Sequence, residues 1–228
     1  MTVTKIDHRL GRQMDGAGRA MGPPFTVLLG ADYSGKSSAL VELADSCEVV
    51  SVDDEFLVDG RGVVRALKRA LVKEVLPALD DVYTVDFAIS LLQTAVVHLR
   101  DRIASCSGVR PVVVDSYYYK ILAKCRLLSG KPNPAFDWWR SFPKPEQVIY
   151  LEVDPVTAWR RCGDGARINR LEHHGTEPIY PAFVDFQREL KVLMLEEVEA
   201  APIRVIPERA GVAATVAEIR EAMVRRVA

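Results

Sequence analysis

From residue 30 to 37 the chain reads Gly30-Ala31-Asp32-Tyr33-Ser34-Gly35-Lys36-Ser37. Two glycines, then a lysine and a hydroxyl at this spacing, suit the binding of polyphosphate. The glycines let successive backbone N–H groups turn inward and form a concave anion nest. A helix starting near Gly35 adds the positive end of its dipole. Lys36 would set an ammonium against the outer phosphates, and the Ser37 hydroxyl would ligate Mg²⁺. Gly30 through Ser38 are therefore the residues expected to hold a nucleotide.

Three other stretches carry candidate chemistry. Asp53-Asp54-Glu55 follows the apolar run Val49-Val50-Ser51-Val52. Carboxylates just past the carboxyl end of a parallel strand sit where open α/β sheets bind ligands, although Asp also serves well in turns and caps. Asp115 ends a second apolar run, Val112-Val113-Val114, where a carboxylate can stand beside Mg²⁺ and its waters. Finally, Arg160, Arg161, Arg167 and Arg170 fall within eleven residues that include Gly163 and Gly165. A basic, glycine-bearing segment near a triphosphate can close as a lid and bring guanidinium groups to a migrating phosphoryl. Its alternative is an exposed charged loop.

The elements that must position these groups alternate in type. Phe25 to Leu29 is apolar throughout, as suits a strand covered on both faces. Helical spacing follows the phosphate-binding stretch and recurs over Gly62–Leu79, Tyr83–Ala104, Ile179–Val198 and Val212–Val227. Further strands are expected at Pro111–Asp115, Gln147–Val153 and Ile203–Ile206. Tyr117-Tyr118-Tyr119 should begin a helix running to about Leu128, whereas Ser129–Glu146, with its prolines, reads as loop. Asp154-Pro155 opens a short helix. One three-layer α/β domain spans 25–228, with a lid near 160–172, and 1–24 reads as a tail without a fold of its own.

Composition narrows the function classes. The chain has 228 residues, 49% of them hydrophobic, with 30 basic and 31 acidic residues for a net charge of −1. No basic excess points to a nucleic-acid polymer as partner. No stretch reaches the ~20 apolar residues that span a bilayer. Cys47, Cys106, Cys125 and Cys162 have no metal-ligand spacing and read as reduced thiols of a cytoplasmic protein.

From about Phe25 to the end, the order of motifs resembles the thymidylate kinase branch of the nucleoside monophosphate kinases. The resemblance rests on the phosphate loop with an acid at its third position (Asp32) and on a strand ending in Asp115-Ser116-Tyr117. It also rests on Tyr150-Leu151-Glu152-Val153-Asp154-Pro155 ahead of a basic lid that ends in Arg170-Leu171-Glu172. It implies a five-stranded parallel sheet of order 2-3-1-4-5 with helices on both faces, ATP as phosphoryl donor, Mg²⁺ as cofactor and a homodimer as the common assembly.

The departures fall on the acceptor side. Ser116 stands where the resembled family usually has arginine, Asp53-Asp54-Glu55 replaces Arg-Glu-Pro, and neither Gln93 nor Thr94 supplies the helix arginine that grips an acceptor phosphate. Losing charge-assisted hydrogen bonds of ~1.5–3 kcal/mol each weakens any grip on a dianion. An alcohol acceptor instead needs a group to take its proton, and a carboxylate serves. The expectation is an ATP-dependent phosphotransferase acting on a nucleoside, nucleotide or other small hydroxylated molecule. Lys36 holds the donor, and Ser37 with Asp115 manages Mg²⁺. Asp53, or Asp32 as second choice, orients or deprotonates the acceptor, while Arg161, Arg167 and Arg170 neutralise charge. A nucleoside monophosphate kinase proper and a catalytically silent nucleotide-binding module are the alternatives.

Overall fold

A computed structural model describes residues 22–53, 56, 62–198 and 201–224. The expected tail thus lies almost wholly outside the described residues, as do Asp54 and Glu55. Five strands, β1 (Phe25–Gly30), β2 (Glu48–Val50), β3 (Val112–Asp115), β4 (Gln147–Leu151) and β5 (Ile203–Ile206), form one sheet in the order β2-β3-β1-β4-β5. All neighbours run parallel; Val27 stands opposite Val114 on one side and Val148 on the other.

β1 is buried along its whole length because helices cover both of its faces, which is why it is apolar at every position. Alternate residues feed two cores. Val27, Leu29, Val114 and Val148 pack with Leu99, Tyr117, Leu122 and Leu190, from α3 (Val85–Ser105), α4 (Tyr117–Ser129) and α7 (Tyr180–Glu197). Leu28, Val113, Ile149 and Leu151 pack with Leu40, Leu43, Val216 and Ile219, from α1 (Lys36–Leu43) and α8 (Val212–Val224).

Helix starts follow their capping chemistry. Thr84 Oγ1 accepts from Phe87 N at 3.2 Å ahead of α3. Asp154 Oδ1 accepts from Val156 N at 2.7 Å, and Pro155 takes the first position of α6 (Pro155–Arg161). The proline-rich stretch expected as loop is corrected: it holds a two-turn helix, α5 (Pro134–Arg140). Asn133 caps it and Pro134 sits at its first turn, where a proline starts a helix instead of breaking it. The adjacent tryptophans of α5 part company: Trp139 is fully buried, whereas Trp138 is half-exposed beneath the Arg100 guanidinium.

The segment expected as one helix to Leu79 is α2 (Val63–Ala70) followed by one π-helical turn, Leu71–Val75, ahead of Pro77. π turns inside helices gather at functional sites, and this one borders the cleft described next.

Candidate functional site

Every residue from Asp32 to Ser38 lines a cleft of about 700 Å³ at the carboxyl ends of β1 and β3. Gly30 lies beneath it, pressed against the neighbouring strand. A Cβ there would stand 2.7 Å from Leu151 O and 2.9 Å from Ser34 Oγ, so only glycine fits. Gly35 holds φ +90° and begins α1 with its side open to the cleft. Among the described residues, the backbone N–H groups of Tyr33, Ser34 and Gly35 have no acceptor. These are the donors an anion would meet.

Lys36 is buried against its own loop, donating to Gly30 O and Ala31 O at 3.2 Å each. Burial, reinforced by Lys120 nearby, pushes its ammonium down to about 7. Asp32 is also buried and bonded on every side. It receives Lys120 Nζ at 2.7 Å, Lys124 Nζ at 3.0 Å and Gln187 Nε2 at 3.0 Å. Burial alone would raise its carboxyl, but the two ammonium groups outweigh that and hold it well below the usual range.

Ser37 Oγ donates to Asp53 Oδ2 at 3.0 Å, and Asp53 Oδ1 pairs with Lys68 Nζ at 3.0 Å. Burial works against the Asp53 charge, yet Lys68 and the Ser37 hydroxyl keep its carboxyl below the ordinary value. Asp115 accepts from Ser51 Oγ at 2.9 Å and from Ser116 Oγ at 2.9 Å. Ser51 Oγ in turn accepts from Asp53 N at 3.0 Å, so one chain of hydrogen bonds ties the ends of β2 and β3. The acid in direct contact with the loop hydroxyl is therefore Asp53, with Asp115 one link further on. Ser116 and Tyr117 both hold positive φ, 55° and 47°, at the turn that carries Asp115 into α4. Non-glycine residues there store strain, and such strain collects at functional sites.

No cluster of three His, Cys, Asp or Glu side chains suited to a metal occurs among the described residues. Mg²⁺ held mainly by substrate phosphates needs only one or two protein oxygens. Ser37 Oγ and Asp115 are hard oxygen donors of that kind, so the residues fit the ion. The N–H groups of the loop likewise fit the polyphosphate that would carry it.

The arginines of the basic segment take different places. Arg161 Nη1 donates to Tyr33 O at 3.2 Å and Nη2 pairs with Glu208 at 2.7 Å. Arg161 and Arg167 line the cleft. Arg170 does not: its guanidinium donates to Gly175 O, away from the lining. Tyr33, at φ 59°, reaches across from the phosphate loop; its hydroxyl donates to Arg167 O at 3.0 Å or Glu172 Oε2 at 3.1 Å. Glu172 also faces Lys124 at 3.7 Å, so the phosphate loop, the basic segment and α4 are joined.

Lys68, Lys120, Lys124 and Gln187 also stand at the site, though no expectation from the sequence put them there. Lys120 and Lys124 had a signal: they stand four apart, on one face of a helix whose neighbours are mostly apolar. Gln187 had none, being one polar residue on a long amphipathic helix. Among the described residues no helix is long and apolar enough to cross a membrane.

No family model matches the chain, and no curated protein matches it. Solved structures do. A thymidylate kinase from Candida albicans superposes with a TM-score of 0.61 at 17% identity, over 90% of this chain and 92% of that one. With the observed strand order, this shows a thymidylate kinase-like P-loop kinase fold.

Proposed function

We propose that this protein is an ATP- and Mg²⁺-dependent phosphotransferase whose acceptor is the hydroxyl of a small molecule. The observation that carries the reading is the Asp53 carboxylate, 3.0 Å from the Ser37 hydroxyl and on the wall of the same cleft. It is an acid placed between a phosphate loop and an open cavity. The free N–H groups of Tyr33, Ser34 and Gly35 receive the polyphosphate of the donor. Lys36 exchanges the carbonyls of Gly30 and Ala31 for phosphate oxygens, and Arg161 and Arg167 offset the charge that spreads over the migrating group. Mg²⁺, when bound beside Ser37, neutralises phosphate charge and orients the γ-phosphoryl.

The acceptor oxygen forms a bond to the γ-phosphorus while the bond from that phosphorus to the bridging oxygen breaks. ADP leaves with the electron pair. The hydroxyl proton passes to Asp53 and then to water. A carboxylate of depressed basicity suffices, because phosphoryl transfer relies chiefly on positioning and electrostatics. Asp32, the second candidate for this role, is tied to Lys120, Lys124 and Gln187 and acts better as the anchor of those side chains.

An alcohol is favoured over a monophosphate because Lys68, Lys120 and Lys124 are all matched to carboxylates within the protein. A dianionic acceptor would have to break those pairs. The likeness to a thymidylate kinase favours the second reading, a nucleoside monophosphate kinase. Measuring ADP release with alcohols, nucleosides and nucleoside monophosphates separates the two. Turnover with an alcohol or nucleoside and none with monophosphates is expected; turnover with monophosphates alone would overturn the proposal.

A further inference from the structure

Beyond the phosphate loop the cleft changes character. Its far walls come from Leu67 of α2, Leu71 of the π turn, Leu91, Leu92 and Ala95 of α3, and Ile121 of α4. Leu67 and Leu71 are four residues apart and therefore share one helical face. The polar member of the α3 stripe, Thr94, spends its hydroxyl proton on Leu91 O at 2.6 Å. Among the described lining residues Tyr117 also carries a hydroxyl, but it is buried and has no hydrogen-bond partner, and the charged groups gather at the phosphate-loop end. There Asp53 meets Lys68 at 3.0 Å, and Ser116 Oγ donates to Asp115 at 2.9 Å. The cavity is thus polarised, with hydroxyl-handling chemistry at one end and hydrocarbon at the other.

We infer that the acceptor is an alcohol with an apolar body, of the prenyl or arylalkyl class, seated with its hydroxyl at Asp53 and its body against Leu67, Leu71, Leu91 and Leu92. This rests on the phosphotransferase reading above. A nucleobase or a sugar carries several donors and acceptors at the end remote from its reacting hydroxyl. In this cleft those groups would leave water and face leucine side chains, with their hydrogen bonds unmade. A hydrocarbon body loses nothing by the same move and gains from leaving water. Pockets that offer few polar partners discriminate in this direction, since an unpaired buried group is what a site rejects most strongly. The reaction is the transfer already written: the alcohol oxygen bonds to the γ-phosphorus, ADP leaves, and the proton goes through Asp53 to water. The product is a phosphate monoester.

The test uses the full chain with Mg·ATP and follows ADP release and the ³¹P signal of the monoester. The acceptors are geraniol, 3-phenylpropanol, thymidine and glycerol. The two apolar alcohols should show kcat/KM at least about tenfold above the two polar ones. Leu91→Gln, at a partly exposed position, should lower kcat/KM for geraniol about tenfold, mainly through KM, while the Kd for Mg·ATP holds. Ala95→Phe, which fills the cleft, should do the same by bulk. Faster turnover of thymidine or glycerol, or an unchanged KM for geraniol in both variants, would overturn the inference and leave the phosphotransferase reading standing. No turnover of any of the four, with Mg·ATP still bound, would overturn that reading and this inference together.

Discussion

The two ends of the cleft are built on opposite principles. At the phosphate-loop end, Lys36, Asp32, Lys120, Lys124 and Gln187 are buried or nearly so; Asp32 is matched to Lys120, Lys124 and Gln187, and Lys36 donates to the Gly30 and Ala31 carbonyls. At the far end, leucine side chains of α2 and α3 face one another with few polar groups between them. Charge kept out of water is strong and rigid, but it is costly unless every group is matched. Apolar walls are cheap and tolerant of shape. The polar end therefore suits a ligand whose chemistry is fixed, a polyphosphate, and the apolar end suits one recognised by its bulk. The arginines that the resemblance implies are absent at positions 53, 93, 94 and 116, whereas Lys120 and Lys124 of α4 are paired with Asp32 beside the phosphate loop.

This contrast can be broken first at Lys36. Lys36→Ala should reduce ATP-dependent transfer by roughly 10³-fold or more while far-UV circular dichroism stays that of the parent protein. Asp32→Asn attacks the matching itself by removing the carboxylate that Lys120 and Lys124 share. Breaking a buried pair in this way should cost roughly 3–5 kcal/mol of stability, read by denaturant unfolding. Asp53→Asn sits on the boundary between the two ends. It should lower transfer to an alcohol about 10²-fold and leave Mg·ATP affinity nearly intact, as steady-state kinetics and calorimetry would separately report.

A subtler effect follows from the protonation of Lys36. Its ammonium lies near 7 in the free protein instead of the ordinary 10.5, because burial and Lys120 disfavour the charge. The unfolded chain binds the extra proton between those values, so this group's contribution makes stability rise with pH across that window. A polyphosphate reverses the balance and draws the proton back. Binding of Mg·ATP at pH 8 to 9 should therefore take up close to one proton, and the uptake should vanish below about pH 6. Calorimetry in buffers of different ionisation enthalpy measures it. The smallest effect belongs to Tyr33→Phe. It removes the hydroxyl that links the loop to Arg167 O and Glu172, and should weaken Mg·ATP binding only about threefold.

Much of the phosphate-loop end was legible in the sequence because its residues are local in the chain. Gly35, Lys36 and Ser37 are neighbours in the chain, and their spacing alone specifies a nest with a helix behind it. The two-sided burial of β1 followed from apolar runs alternating with helical spacing, whereas the strand order was implied only by the family resemblance. The rest depends on distance in the chain. Asp53 reaches Ser37 across 16 residues, Lys124 reaches Asp32 across 92, and Gln187 reaches it across 155. No periodicity encodes such meetings. Arg170 shows the converse: it belongs to a basic run, yet the turn through Gly175 takes its guanidinium away from the cleft. The helix α5 was hidden by its prolines, which mark loops unless a capping residue such as Asn133 precedes them.

Every step proposed for the cleft requires the loop from Gly30 to Ser37 to receive polyphosphate. Titrating Mg·ATP into the full chain by isothermal calorimetry tests this most directly. A saturable heat of one site per chain, abolished in Lys36→Ala and accompanied by a rise in melting temperature, is the predicted result. A flat titration with an unmoved melting temperature, in protein that is folded, would contradict it.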